Sequence, residues 1–223
     1  MDPVGVGSGA VMATSGDTEP KQRRGRRPAA EVRGEVLAAA ATLMYADGLR
    51  AVTFDRVAGK SGASKTTIYK WWPSPGALAA EAYFVTNESE LEFPDSGDLA
   101  DDIRTQLRAF VHLLTQSASG RIIAELIGRA QTDPDLSAAV SEHYTMPRRT
   151  LAINYFMQAL ERGQLRDDVD LELLIDQLWG ACYNRLLIPD APLDERFADA
   201  LVKNTIVGAA SATYRSALDR RRA

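Results

Sequence analysis

The chain has 223 residues, 45% of them apolar, enough to bury a core in one large domain or in a small head on a larger body. Charged residues make up 25% and the net charge is −4, the ordinary balance of a soluble protein. No apolar run approaches the roughly 20 residues of a membrane-spanning helix, and the first twenty residues lack the apolar stretch of a secretory signal. The single cysteine, Cys182, cannot close an internal disulfide and stands in an apolar run with Leu178, Trp179 and Ala181, where a buried thiol is expected. Together these features place the expected site of action in the cytoplasm.

The charge is unevenly spread. Residues 20–72 hold eleven Lys/Arg against four acids, whereas the rest of the chain holds fifteen bases against twenty-six acids. A basic head on an acidic body points to a polyanion meeting one end only.

Residues 1–19 are rich in Gly, Ser, Thr and Ala with no apolar period, and read as a disordered leader. The run KQRRGRR that follows carries Arg23, Arg24, Arg26 and Arg27 and ends at Pro28; ahead of a DNA-reading unit it would serve as a phosphate-touching arm. Over residues 30–46, Val32, Val36, Leu37, Ala40, Leu43 and Met44 recur at helical spacing, with Asp47-Gly48 as the stop and Gly48 in the left-handed position. Thr53 can cap a short helix over residues 54–60 that turns Phe54, Val57 and Ala58 inward. Gly62 supplies a tight turn, and Ser64 can cap a third helix over residues 65–72. Pro73-Ser74-Pro75 then breaks the chain before a helix through Leu78, Ala82 and Val85.

The remainder reads as helices throughout. One runs through Leu99, Ile103, Leu107, Phe110, Val111 and Leu114, with Asp101 and Asp102 near its positive end. Another covers residues 122–130. A long segment over residues 135–162 should be kinked by Pro147 and ended by Gly163. Asp170 can cap a helix through Leu174, Ile175, Leu178, Cys182 and Leu186, and a last helix should span residues 193–218. With neither β-alternation nor internal repeats, the class is all-α.

Two short helices joined by a glycine turn read DNA when the second lies in the major groove with a small, polar, cationic face outward. The stretch GKSGASKTTIYKWW meets that need. Ile68 and Trp72, at i and i+4, can face the core, leaving Lys65, Thr66, Thr67, Tyr69 and Lys70 outside. Lys65 can donate to guanine acceptors, and threonine offers a hydroxyl with a methyl for thymine. Tyr69 and Lys70 suit phosphates, which set register without reading sequence. Ser64 can share its capping role with a phosphate. An ordinary helical hairpin with a polar face is the competing reading of these residues. The preceding helix pair, the Gly62 turn and the basic balance argue against it.

Residues 25–82 resemble the N-terminal domain of TetR-family regulators. The matching features are Asp47-Gly48, Ala51-Val52-Thr53, Val57-Ala58, Gly62-Ala63-Ser64, Ile68-Tyr69, and Trp72 before the Pro-Ser turn and Leu78. The resemblance implies base or phosphate contacts from Lys65, Thr66, Thr67, Tyr69 and Trp71, and a phosphate contact from Thr53. One departure is Pro75, which stands where many members carry a phosphate-binding lysine. More faintly, the body resembles one TetR C-terminal subfamily through residues 127–134, Met146-Pro147-Arg148-Arg149 and residues 161–170.

The resemblance implies an N-terminal arm (residues 1–27), a three-helix helix-turn-helix domain (28–73) and a helical ligand-binding and dimerisation domain (74–223). The partners it implies are a palindromic double-stranded operator, a second copy of the chain and a small-molecule effector, with no membrane partner. Candidate cavity residues are Phe110, His112, Trp179, Tyr183 and Asn184, since aromatic helix interiors with few polar groups suit small organic ligands. Each is also compatible with plain core. Asn204, Gly208, Ser211 and Ala212 form a small-residue stripe where a partner helix, or an internal one, could approach closely. His112 and His143 lack metal-ligand spacing, so no metal or cofactor is expected. Phosphate loops and nucleophile elbows are missing from the sequence, which argues against an enzyme. A helical DNA-binding protein or adaptor without small-molecule control stays open as the alternative.

Overall fold

The computed structural model describes residues 27–89 and 92–221. The leader and Arg23, Arg24 and Arg26 of the basic arm lie outside these residues. Among the described residues every regular element is helical, apart from one isolated antiparallel bridge between Leu165 and Ala210. Among these residues no helix is long and apolar enough to cross a membrane.

The head comprises α1 (Ala29–Asp47), α2 (Phe54–Ser61) and α3 (Lys65–Trp71). Val36, Leu37, Ala40 and Met44 of α1 and Phe54 and Val57 of α2 are buried, as their spacing predicts, and α1 packs on α2. Gly48 ends α1 at φ 84°, ψ 173°, an extended conformation that glycine alone adopts readily, rather than the expected left-handed helical one. Gly62 does take the left-handed turn, at φ 70°, ψ 6°. Thr53 and Ser64 accept the backbone N–H groups of Arg56 and Thr67, at 3.3 and 3.1 Å, and so start α2 and α3.

α4 (Pro75–Asn87) begins with Ser74 accepting from Ala77 N–H at 3.1 Å, with Pro75 at the first turn, where its missing N–H is no loss. Every residue from Ala77 to Tyr83 is buried. A helix covered all round must have packing partners on all sides, and α4 has them: α1 on one side, the body on the other. Val85, expected inward, is instead 47% exposed.

The body contains α5 (Leu99–Gln116), α6 (Ser119–Ala130), α7 (Pro134–Val140), α8 (Met146–Glu161), α9 (Leu171–Ile175), α10 (Ala181–Leu187), α11 (Glu195–Ala209) and α12 (Ala212–Arg220). Three expectations change here. The long segment is interrupted at Ser141–Thr145 by a widened π turn, closed by Met146 N–H donating to Ser141 C=O, and Pro147 lies in the first turn after it. Proline cannot donate to the carbonyl four residues back, and widening the turn makes room for its ring. A second π turn, Asp176–Gly180, separates α9 from α10. The final helix breaks at Ala210, whose ψ is 142°. Ser211 caps α12 through Tyr214 N–H at 3.1 Å and donates its hydroxyl to Gly163 C=O at 2.7 Å. A serine that can satisfy a helix start competes with helix continuation, and here it wins.

The body core is tied by polar contacts as well as apolar ones. Asp102, only 1% exposed, accepts Ser96 N–H (3.1 Å to each oxygen) and the Tyr155 hydroxyl at 2.9 Å. Arg108 of α5 forks onto Asp199 of α11 at 2.8 and 2.7 Å. Cys182 is fully buried, and burial pushes its thiol pKa up to about 12, so it behaves as an inert core residue.

The turn between α5 and α6 depends on Gly120. A Cβ there would stand 1.9 Å from Leu114 carbonyl oxygen, a backbone atom that cannot swing away. Gly120→Ala is therefore expected to lower stability by about 2–3 kcal/mol, measured by urea unfolding, whereas Gly128→Ala, with open space around it, should not.

Candidate functional site: a nucleic-acid interface tied to an aromatic cavity

α3 is held by its inner side. Ile68 and Trp72 are fully buried with Val57, forming the expected keel. Lys65, Thr66, Tyr69 and Lys70 are exposed, with Tyr69 at 61% although its ring packs edge-on to Phe54 at 4.6 Å. Thr67 is half-buried, and its hydroxyl meets that of Ser64 at 2.8 Å, so it stiffens the cap as well as facing out. Trp71 is half-buried edge-on against Trp72 at 5.6 Å and borders a cleft with Arg27, Val32 and Ser64. Arg27 pairs with Glu35 at 2.6 Å.

Lys65 is ion-paired with Asp55 of α2, and the hydrogen bond and charge of that carboxylate raise its pKa. Both groups are solvent-exposed, so the pair is weak and can open when a stronger acceptor arrives. Thr53 is exposed at the start of α2.

Behind α3 stands Glu81 of α4, 7% exposed and the one acid in the apolar run from Ala77 to Tyr83. Its carboxylate accepts the Trp72 indole N–H at 2.7 Å and two guanidinium contacts from Arg33 of α1, at 2.5 and 2.8 Å. The Arg33 guanidinium also lies over the Trp72 ring, 5.1 Å from its centroid. On the body side, His143 Nδ1 of the first π turn comes within 3.9 Å of the same carboxylate. One buried carboxylate thus ties α1 and the end of α3 to α4, with His143 of the body close by. A second junction lies at the far end of α4, where Asn87 bonds Tyr45 of α1 and Ser119 of α6, at 2.9 and 3.1 Å.

The residue beside His143 faces a cavity. Tyr144, Thr145, Arg148, Ala152, Phe93, Phe110, Ile175, Trp179 and Tyr183 line it together with Arg149, and its volume is about 80 Å³. That is smaller than the ~300–1,000 Å³ of most small-ligand pockets, so a ligand seated there would have to move its walls apart. Both π turns contribute: Tyr144 and Thr145 from the first, Trp179 from the second. Such turns rotate side chains out of the helical register and recur at functional sites. Tyr144 and Tyr183 share a hydrogen bond at 2.5 Å, and the Trp179 N–H donates to Gln106 at 3.0 Å.

Of the five expected cavity residues, Phe110, Trp179 and Tyr183 line it. His112 and Asn184 do not; both are exposed. Each stands two positions after an inward residue, Phe110 or Cys182, hence about 200° round the helix. Missed were Tyr144 and Arg148, whose i, i+4 spacing with Ala152 and Phe156 would have shown a common face. Phe93, in a loop, carries no such signal. Among the described residues no cluster of three or more His, Cys, Asp or Glu could hold a metal.

Asn204, Gly208 and Ala212 are exposed, Asn204 and Gly208 in a groove between α9 and α11. Ser211 is occupied within the chain, and because α11 ends at Ala209 the four residues do not share one helix.

A capped helix pair with a left-handed glycine turn and an exposed polar recognition face defines the class: a helix-turn-helix transcriptional regulator. Comparison with known proteins gives the family. Residues 36–82 match the model described as bacterial regulatory proteins, tetR family, and residues 93–205 match the tetracyclin repressor-like C-terminal domain. The chain is 34% identical over 195 residues to the HTH-type transcriptional regulator YdeS of Bacillus subtilis, covering 86% of this chain and 98% of that one. It is 29% identical over 175 residues to the DNA-binding transcriptional repressor TetR of Mycobacteroides abscessus, covering 77% and 90%. The crystal structure of the TetR family transcription regulator SCO0332 matches with a TM-score of 0.77 and 54% identity, over 80% of this chain and 98% of that one. The chain belongs to the TetR family of transcriptional regulators, a family of DNA-binding proteins and not of enzymes.

Removing the carboxylate at the head–body junction tests its structural weight. Glu81→Ala leaves Arg33 and the Trp72 N–H without their acceptor and is expected to cost about 1–3 kcal/mol in urea unfolding. DNA affinity, measured by fluorescence anisotropy well below the melting temperature, should fall with it.

Proposed function

We propose that the protein is a repressor that binds a palindromic operator in the cytoplasm as a homodimer and is released by a small molecule seated among its body helices. The observation that most supports this reading is the position of the first π turn. One of its residues, Tyr144, borders the cavity, and the next one back, His143, faces the carboxylate that holds Trp72. A ligand that shifts Tyr144 would disturb Glu81, and through it the end of the recognition helix. A coupling of about 1–3 kcal/mol is enough to change operator occupancy several-fold or more.

On the DNA side, Lys65, Thr66 and Thr67 read bases. Ser64, Tyr69, Lys70, Trp71 and Thr53 hold phosphates or sugars, and Arg23, Arg24, Arg26 and Arg27 supply an arm along the backbone. Two copies of α3 would enter successive major grooves about 34–36 Å apart. For the dimer, the groove between α9 and α11 offers a close approach at Asn204 and Gly208, flanked by Leu173 at 53% and Val207 at 41% exposure. Ala212, exposed at the start of α12, is the remaining candidate for a partner contact.

Lys65→Ala should reduce binding to the selected operator by more than it reduces binding to scrambled DNA, because it removes a base contact. Lys70→Ala should weaken both alike and lower the slope of log affinity against log salt by about one. Equal losses on both DNAs for both variants would sink the assignment. Selection from a random DNA pool should return a near-palindrome, and light scattering at micromolar protein should give twice the monomer mass; a monomer would remove the two-headed arrangement.

A further inference from the structure

Over residues 54–71 the helix pair carries four cations and a single acid: Arg56, Lys60, Lys65 and Lys70 against Asp55. The four cations are held differently. Arg56 is paired with Asp47 at the end of α1. Lys60 and Lys70 are exposed and carry no ion pair among the described residues. Of the four, Lys65 alone is paired within the two helices, with Asp55.

The place of that pair gives it a role. Lys65 is the first residue of α3, and the N-terminal residues of a recognition helix are the ones that reach base edges. A cation there opposes the positive end of the helix, and α3 has no acid in its own first turn. Asp55, in the first turn of α2, supplies that charge from across the Gly62 turn. An ammonium has three N–H donors, so with one given to Asp55 two remain.

A lysine with no acid beside it meets phosphates on any DNA, whatever the sequence. A lysine already paired must share or give up its carboxylate to do so, and the phosphate also repels that carboxylate. A guanine edge offers two acceptors and no net charge, so it can take the remaining donors with Asp55 still in place. The side chains of Lys65 and Asp55 are 58% and 72% exposed, so the preference has the modest scale of a surface ion pair.

We propose, on the reading of Lys65 as a base contact, that Asp55 is the positioning residue for that contact. It keeps the Lys65 ammonium off the phosphates and leaves its remaining donors for a base edge. Lys65 then adds to sequence selectivity and little to general DNA affinity.

The test uses the full-length protein and two duplexes, one recovered by selection from a random pool and a scrambled one of the same composition. Affinities are read by fluorescence anisotropy over a series of salt concentrations, with folding of each variant checked by its melting curve. Asp55→Asn removes the charge and keeps the size of the side chain. It should lower the ratio of selected to scrambled affinity by about threefold or more. On the scrambled duplex it should steepen the slope of log affinity against log salt by about one, the mark of a lysine newly on a phosphate. Asp55→Glu, which keeps a carboxylate, should retain part of the ratio. With Lys65→Ala already in place, Asp55→Asn should shift neither ratio nor slope. An unchanged ratio and slope in Asp55→Asn would overturn the proposal. So would the same changes in the Lys65→Ala background, where Asp55 could act only as a bare surface charge. A steeper slope in Asp55→Asn with equal losses on both duplexes for Lys65→Ala would sink the base contact and leave the hold of Asp55 on the lysine standing. The slope needs only the scrambled duplex, so that hold is tested even if selection returns no single site.

Discussion

α4 buries a carboxylate in a helix that is otherwise alanine, leucine and aromatic, and the rest of the molecule is arranged around that fact. A carboxylate removed from water must be compensated by hydrogen bonds and charge. Glu81 receives both from Arg33 and the Trp72 indole. Those partners come from opposite ends of the head, so satisfying Glu81 also fixes the angle at which α3 leaves the protein. The small residues Ala77, Ala79, Ala80 and Ala82 let the neighbouring helices come close enough for this to happen. A leucine-rich helix would hold its neighbours further away and leave the carboxylate short of partners.

The same helix explains how a head and a body can act as one unit. α4 packs on α1 and, on its other side, on α7 and the π turn at Ser141–Thr145. The Asn87 junction closes the far end. Two polar junctions along one helix, Glu81 with Arg33 and Trp72 and Asn87 with Tyr45 and Ser119, have to be rearranged if the helices around α4 shift. The π turn thus lies beside the carboxylate that accepts the Trp72 indole N–H at the end of α3.

The two π turns also decide where chemistry is possible in the body. The widened turn beside Pro147 places Tyr144 on the cavity wall, with His143 facing α4. The second, at Asp176–Gly180, places Trp179 there, edge-on to Phe93. Aromatic and cationic groups from α8 and from the second π turn and α10 thus meet in a space that neither segment lines alone.

The local chemistry of the head was legible in the sequence. Thr53, Gly62 and Ser64 act within a few residues of themselves, and Ile68 and Trp72 obey a period that any helix must have. The all-α class followed from the same periods. What the tertiary structure alone decided were contacts between residues far apart in the chain. Examples are Arg33 with Glu81, Tyr144 with Tyr183, and the occupation of Ser211 by Gly163 C=O. His112 and Asn184 were misplaced because polarity in an apolar stretch does not reveal which way a side chain points; the turn of the helix does. Arg148 stayed hidden for a related reason. An arginine reads as surface by composition, and only the packing of α8 on α9 brings it to the wall of a cavity.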